Sequence, residues 1–265
     1  MTYGIPTLME FSDVEILTRF CADNGFSFVE MNLTFPWFQS DVIDADTLSR
    51  LKRKYGVNFT IHMHDQFNPF EFSPEMRRAH WENALYAIEL ACKLDIPKLN
   101  MHLLPGTYSS INGTKTYLYA QYLDRYLGYV REFRDFTDQK LKGQDTVFCI
   151  ENTSGYLPFH HKAIELMLES RHFGLTFDIG HDYKTGNKDE AFILAHRDRL
   201  CHFHIHDCSS RANHLGFGEG CIDLPRFLLL AKDLNASVVA EVKESGGLIR
   251  SKEYMIEHNC WQSAH

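Results

Sequence analysis

The sequence predicts a (β/α)8 barrel, also called a TIM barrel, in a single domain that spans residues 1–265. Short β-rich runs alternate with longer amphipathic segments, which is the pattern of parallel βα units. There are about eight such runs, so the 265 residues give about 33 per unit, the spacing of this barrel. No stretch rich in Pro, Gly or Ser marks an internal domain boundary.

Eight runs are predicted as the barrel strands. In chain order they are residues 3–8, 26–33, 58–64, 98–103, 146–152, 174–181, 200–207 and 237–243. Each run is rich in residues that favour strands and is bounded by polar or turn-forming residues. A doubly wound open sheet has the same alternation, and the pattern alone leaves that alternative open.

Start and stop signals place helices between the runs. Ser12 with Glu15 forms a capping box that begins one helix, and Gly25 ends it. A serine followed by proline predicts a long helix over residues 74–94. Asp223, shortly before another proline, begins a third helix.

Composition and charge exclude several classes of protein. The apolar runs are far shorter than the roughly 20 residues of a membrane-spanning helix, and the first residues show no signal peptide, so we expect a cytoplasmic protein. Seven scattered cysteines without a C-x-x-C pair indicate reduced thiols. A formal charge of −8 argues against nucleic acid as the main partner. The 15 histidines are unusual, and histidine is the commonest metal ligand.

Four consecutive strand runs end on residues that can bind a metal. In chain order these are Glu151, Asp178, His204 or His206, and Glu241. The active site of a parallel barrel lies at the carboxyl ends of its strands, so these side chains should converge. Three carboxylates and an imidazole in one buried mouth require a neutralising cation, which predicts a divalent metal ion. Spacing does not separate His204 from His206. We choose His204 because this leaves Asp207 free to act in the next loop.

Further residues fall near the same end of the predicted barrel. The histidines among them are His62, His64, His102, His181 and His214. Each fits a hydrogen-bonded rim residue as well as a site residue. The glycine-rich run 216–220 could cradle a phosphate or form a tight turn. Arg211, Lys243 and Arg250 could meet a phosphate or lie as solvated charges at the rim.

The motifs resemble those of the xylose isomerase-like TIM barrel superfamily, which includes sugar phosphate isomerases/epimerases and AP endonuclease family 2. The matching segments are residues 151–155, 177–181, 204–207 and 214–223. The resemblance spans most of the chain and is specific as an ordered set. It implies a (β/α)8 barrel with one divalent ion, Zn or Mn in preference to Mg or Co, held by Glu151, Asp178, His204 and Glu241.

The resemblance implies, first, isomerisation or epimerisation of a small sugar or sugar phosphate. The metal would acidify a C–H beside a carbonyl. Glu151 and Glu241 would remove and return the proton through an enediolate, and His181 would hold a substrate oxygen. The chain departs from the ketose 3-epimerases at Leu157, where they place a second glutamate, and has only Arg211 near the position of their substrate-holding arginine. Their exact substrates are therefore not implied.

The second implied function is hydrolysis of phosphodiesters at abasic DNA sites, as in endonuclease IV. The ligands of its three-zinc cluster match at His64, His102, Glu151, Asp178, His181, His204, His214 and Glu241. The aspartate expected two residues before His214 is Ala212 here, which leaves the third zinc with too few ligands. The missing ligand and the acidic charge favour the isomerase.

Several expectations about partners follow from this choice. We expect His64, His102, His214 and Arg211 to contact the substrate or an additional metal. The partner is then a small sugar or sugar phosphate, and neither nucleic acid nor a membrane. A homo-oligomer is compatible with the sequence. A barrel that binds ligands without catalysis is a third possibility, which the intact ligand set disfavours.

Overall fold

A computed structural model describes residues 1–261 of the chain. Its strands are β1 (Thr2–Pro6), β2 (Phe28–Asn32), β3 (Asn58–His62), β4 (Lys98–His102), β5 (Tyr108–Ile111), β6 (Thr114–Tyr117), β7 (Val147–Glu151), β8 (Phe173–Asp178), β9 (Leu200–Ile205) and β10 (Ser237–Ala240). Eight of them close into a parallel barrel in the order β1-β10-β9-β8-β7-β4-β3-β2. The predicted (β/α)8 barrel is therefore confirmed, and the open sheet is excluded. Strands β5 and β6 form a separate antiparallel hairpin, which the sequence analysis did not predict.

The helices lie between the strands. They are α1 (Val14–Asp23), α2 (Ala45–Tyr55), α3 (Pro74–Leu94), α4 (Leu118–Gln121), α5 (Leu123–Lys140), α6 (Pro158–Leu168), α7 (Ile179–Thr185), α8 (Glu190–Ala195), α9 (Leu224–Asp233) and α10 (Ser245–Glu257), with a 3₁₀ turn at Pro36–Phe38. Within residues 1–261, no helix has both the length and the apolar content needed to span a membrane.

The predicted helix starts are confirmed at α3 and α9 and wrong by one residue at α1. Ser73 and Asp223 cap α3 and α9 through their side chains. At α1 the cap is Asp13, whose carboxylate accepts hydrogen bonds from the N–H groups of Glu15 and Ile16. Ser12 and Asp13 are both good capping residues, so their identities alone could not decide between them.

A cluster of buried aromatic rings fixes the strands that carry the site. Phe148 of β7 and Phe173 of β8 point outward from the barrel, and their ring centroids lie 6.0 Å apart. Phe133 of α5 packs against both, at 5.8 and 6.1 Å. All three side chains are fully buried. Because close-packed rings resist displacement, this cluster holds β7 and β8 in place where the two strands begin.

The loop after β9 is organised around the buried carboxylate of Asp207. That carboxylate accepts hydrogen bonds from the N–H groups of Cys208 (2.8 Å), Gly218 (3.1 Å), Gly220 (2.8 Å) and Ile222 (3.0 Å). A Cβ on Gly220 would lie 2.4 Å from Asp207 Oδ1, so only glycine fits there. Asp207 therefore closes the loop and is not free to act in it, contrary to the sequence-based expectation.

The glycine-rich run 216–220 is a tight turn. Every N–H group in it already has an acceptor within the protein: Glu219 Oε2, Ser251 Oγ, Asp207 Oδ2 twice, and the carbonyl oxygen of Gly216. Because these donors are satisfied internally, the interpretation of the run as a phosphate cradle is wrong.

Replacing Asp207 with alanine should destabilise the protein strongly. Four backbone N–H groups would lose their acceptor, and an unsatisfied buried polar group costs about 1–3 kcal/mol. We expect Asp207→Ala to lower the free energy of unfolding, measured by urea denaturation, by at least about 3 kcal/mol. Asp233→Ala, at an exposed position, is the control and should stay within about 0.5 kcal/mol of the wild type. Equal stability of the two variants would contradict this role of Asp207.

Candidate metal centre

Four barrel strands bring four metal-binding side chains together at one end of the barrel. Glu151 and Asp178 are the last residues of β7 and β8, His204 lies in β9, and Glu241 follows β10 directly. One donor atom from each lies within 4.8 Å of the others. The exposed fractions of these residues are 1, 0, 0 and 9%, so the group is almost completely withdrawn from solvent.

The donor atoms of this group fit a divalent cation. His204 Nδ1 lies 3.3 Å from Glu151 Oε1 and 3.4 Å from Glu241 Oε2. His204 Nδ1, Asp178 Oδ2 and Glu241 Oε2 are buried, and none has a hydrogen-bond partner within residues 1–261. Buried polar atoms normally have a partner, and a cation among these atoms would supply it. One imidazole and three carboxylates suit Zn²⁺ or Mn²⁺.

The two oxygens of the Glu151 carboxylate have different neighbours. Its Oε1 faces His204, whereas its Oε2 accepts a hydrogen bond from Asn100 and lies 3.3 Å from Nε2 of His62. The hydroxyl of Thr176 donates to Asn100 Oδ1 at 2.6 Å and so fixes that amide. Since Oε2 is engaged with neighbouring side chains, Oε1 is the oxygen presented to the centre.

Asp178 is held by the start of α7 and by a neighbouring histidine. Its Oδ1 accepts a hydrogen bond from the N–H group of His181 at 2.7 Å and lies 3.2 Å from His206 Nε2. Its Oδ2 faces His181 Nδ1 at 3.3 Å. A Cβ on Gly180 would lie 1.8 Å from a carbon of the His206 ring, so this glycine makes room for the ring.

The charged groups of the centre shift one another's pKa values towards the ionised forms. Burial raises the pKa of a carboxyl group, but His204 and His102 hold the pKa of Glu151 well below its usual range, and Lys243 and His204 do the same for Glu241. Burial lowers the pKa of His204, yet the facing carboxylates, with Glu151 foremost, raise it well above its usual value. Both glutamates are therefore ionised at neutral pH and can act as ligands or bases.

The three histidines at the edge of the centre differ in their pKa values. Burial is the main cause that lowers the pKa of His102, and it lowers the pKa of His214 to about 4. Burial also disfavours protonation of His62, but its hydrogen bond with Glu151 and the charge of Glu151 raise its pKa to about 9. At neutral pH the cavity thus offers neutral imidazoles at His102 and His214 and a cationic one at His62.

The centre opens into a cavity of about 370 Å³. Its polar wall includes His102, His181, His214 and Lys243, and Met9 and Phe35 are among its apolar residues. Lys243 Nζ lies 2.7 Å from Glu241 Oε1, the glutamate oxygen that does not face His204. A cavity of this volume, with a few convergent polar groups, is typical of a small-molecule site.

Some of the predicted site residues line the cavity and others do not. His102, His181 and His214 line the cavity together with Glu241, as expected. His62 and Lys243 also line the cavity, whereas His64 and Arg211 are not among its lining residues. Strand β3 ends at His62, so the alternation that would give His64 the same direction stops there. Arg211 is exposed in the loop that follows β9.

Two residues that the sequence analysis did not select also belong to the centre. Asn100 holds Glu151, and Glu30 of β2 lies 2.8 Å from His204 Nε2. A carboxylate between Val29 and Met31 in a buried strand is a signal that could have identified Glu30, because a buried charge requires a partner.

Comparison with known proteins agrees with this architecture. The family model described as xylose isomerase-like TIM barrel matches residues 18–260. The uncharacterized protein MJ1311 of Methanocaldococcus jannaschii is 26% identical over 220 residues, 80% of this chain and 73% of that protein. A solved D-tagatose 3-epimerase-like protein has a TM-score of 0.77 at 21% identity, covering 98% of this chain and 97% of its own. The IOLI protein, solved with a binding zinc atom, has a TM-score of 0.75 at 12% identity, covering 97% and 98%.

A methyl group at position 180 should disturb the centre. Gly180→Ala would push the added Cβ into the His206 ring, and overpacking of this kind costs about 1–3 kcal/mol of unfolding free energy. Gly128→Ala is the matched control, because that glycine lies inside α5 with open space around its Cβ position and should gain about 0.5–1 kcal/mol. Urea denaturation of both variants measures the difference. A stabilised Gly180→Ala protein would contradict the packing described.

Proposed function

The chain belongs to the xylose isomerase-like TIM barrel family, and from that premise we propose that it is a metal-dependent isomerase or epimerase of a small sugar or sugar phosphate. The observation that carries the proposal is the convergence of Glu151, Asp178, His204 and Glu241 on one point beside a small-molecule cavity. The similarity to a D-tagatose 3-epimerase-like protein and to a zinc-containing barrel supports it. The proposed metal is one Zn²⁺ or Mn²⁺ per chain, with Mg²⁺ or Co²⁺ as alternatives.

In the proposed mechanism, Glu151 and Glu241 exchange the proton. When bound, the metal polarises a substrate carbonyl and acidifies the adjacent C–H. Strands β7 and β10 are separated by β8 and β9 around the barrel, so the two carboxylates approach the centre from different sides. One, as the carboxylate, would remove the proton from the substrate carbon, and the other, after taking a proton from solvent, would return it to that carbon as the general acid.

A cationic side chain lies next to each of the two glutamates. Lys243 Nζ contacts Glu241 Oε1, and His62 Nε2 faces Glu151 Oε2. These cations keep the carboxylates ionised before they take a proton. His181 lines the cavity and would donate a hydrogen bond to a substrate oxygen, and Met9 and Phe35 contribute an apolar wall.

One observation favours a second candidate function, a zinc phosphodiesterase that acts at abasic DNA sites. His181, His206 and His214 form another group whose donor atoms lie within 4.8 Å of one another. His206 thereby offers a third imidazole beside His181 and His214, the two ligands left for the third zinc when Ala212 replaces the expected aspartate. A second ion at these histidines, together with cleavage of abasic DNA by the purified protein, would favour this candidate over the isomerase.

The isomerase proposal predicts solvent-proton exchange that depends on both glutamates. The Mn²⁺- or Zn²⁺-loaded protein is incubated in D₂O with a panel of aldoses, ketoses and their phosphates, and deuterium incorporation is measured by mass spectrometry. We expect Glu151→Gln and Glu241→Gln each to lower the exchange rate by at least about 100-fold, the contribution typical of a general base.

Glu244→Gln is the control for this experiment, because Glu244 lies close to Glu241 in the chain but is exposed. It should retain the wild-type exchange rate. Undiminished exchange in either glutamine variant of the centre would contradict the assignment of the bases. Absence of exchange with every sugar by the metal-loaded wild-type protein would contradict the proposed function itself.

A further inference from the structure

We propose that Glu30 is a positioning residue that fixes the ring of His204 so that its Nδ1 lone pair faces the metal centre. Glu30 lies in the middle of β2 and is 3% exposed. Its Oε1 lies 2.8 Å from His204 Nε2, on the side of the ring that faces away from Glu151 and Glu241. This inference rests on the proposed function in one respect, the binding of a metal at the centre.

The carboxylate of Glu30 is itself firmly held. Its Oε2 accepts a hydrogen bond from the hydroxyl of Thr60 and lies near Nε2 of His202, each at 3.1 Å. His202 is fixed in turn by Ser237, whose hydroxyl lies 2.6 Å from its Nδ1. Side chains of β3 and β9 thus hold Oε2, and β10 supports them through His202. The other oxygen, Oε1, remains available to His204.

These contacts distinguish Glu30 from the ligands. Every close neighbour of its two oxygens is a hydrogen-bond donor, namely Thr60, His202 and His204. His204 Nε2 has no hydrogen bond of good geometry among the described residues, and the Glu30 carboxylate oxygen Oε1 lies 2.8 Å from it. The proton of Nε2 therefore has Glu30 as its nearest acceptor, and Glu30 acts on the metal through His204.

The effect on His204 follows from the chemistry of imidazole. A ring that binds a metal through Nδ1 carries one N–H, on Nε2, and an acceptor at Nε2 favours this form, in which Nδ1 keeps its lone pair for the metal. His204 is 0% exposed, so bulk water cannot replace Glu30 as acceptor. Without the carboxylate, the proton would be drawn to Nδ1 by Glu151 and Glu241 and would block the metal.

The test is the Zn²⁺ affinity of the Glu30→Gln variant. The metal-free proteins are titrated with Zn²⁺ against a chromophoric chelator, and we expect the dissociation constant of Glu30→Gln to rise by about 10–100-fold, the effect typical of a lost partner behind a metal-bound histidine. Glu244→Gln is the matched control. It makes the same substitution at an exposed glutamate that does not line the cavity, and it should stay within about 3-fold of the wild type.

A spectroscopic measurement tests the same role of Glu30 without the Glu30→Gln variant. Nitrogen-15 NMR of the Zn²⁺-loaded protein, with the His204 signals identified by their absence in His204→Gln, should show the proton on Nε2. A proton on Nδ1, or an unchanged Zn²⁺ affinity in a folded Glu30→Gln protein, would overturn the role of Glu30 alone. Failure of the wild-type protein to bind Zn²⁺ or Mn²⁺ would instead overturn the metal-dependent function on which that role depends.

Discussion

The burial of several charged side chains in the mouth of the barrel is the constraint on which the rest of the structure depends. Glu30, Glu151, Asp178 and His204 are all at most 3% exposed. A buried charge is tolerated only with a partner, and a set with three carboxylates around one imidazole is not balanced by the imidazole alone. We therefore propose that a metal cation completes the centre, in addition to the neighbouring donors seen in the structure.

The parts of the fold around the centre act as a fixed frame for it. The rings of Phe133, Phe148 and Phe173 hold the two strands that end in Glu151 and Asp178. The loop after β9, closed by the Asp207 carboxylate, carries His214 to the cavity. Strand ends and a loop with satisfied N–H groups hold side chains in fixed positions, which the proposed proton transfer would need.

The sequence predicted the barrel and the four converging residues because both follow from local patterns, namely the number of strand runs and the residue at the end of each. It could not predict which of two good capping residues begins α1, or that β3 stops at His62 and turns His64 away. Glu30 was missed because its importance comes from His204, 174 positions later and across the barrel. The β5–β6 hairpin was missed although Asn112 and Gly113, both at positive φ, form the two-residue turn that Asn-Gly commonly indicates.

The most direct test of the central claim is X-ray anomalous diffraction from crystals of the protein soaked in Mn²⁺. We expect one strong anomalous peak among the converging donor atoms of Glu151, Asp178, His204 and Glu241. A strongest peak among His181, His206 and His214, or no peak at saturating Mn²⁺, would contradict the account.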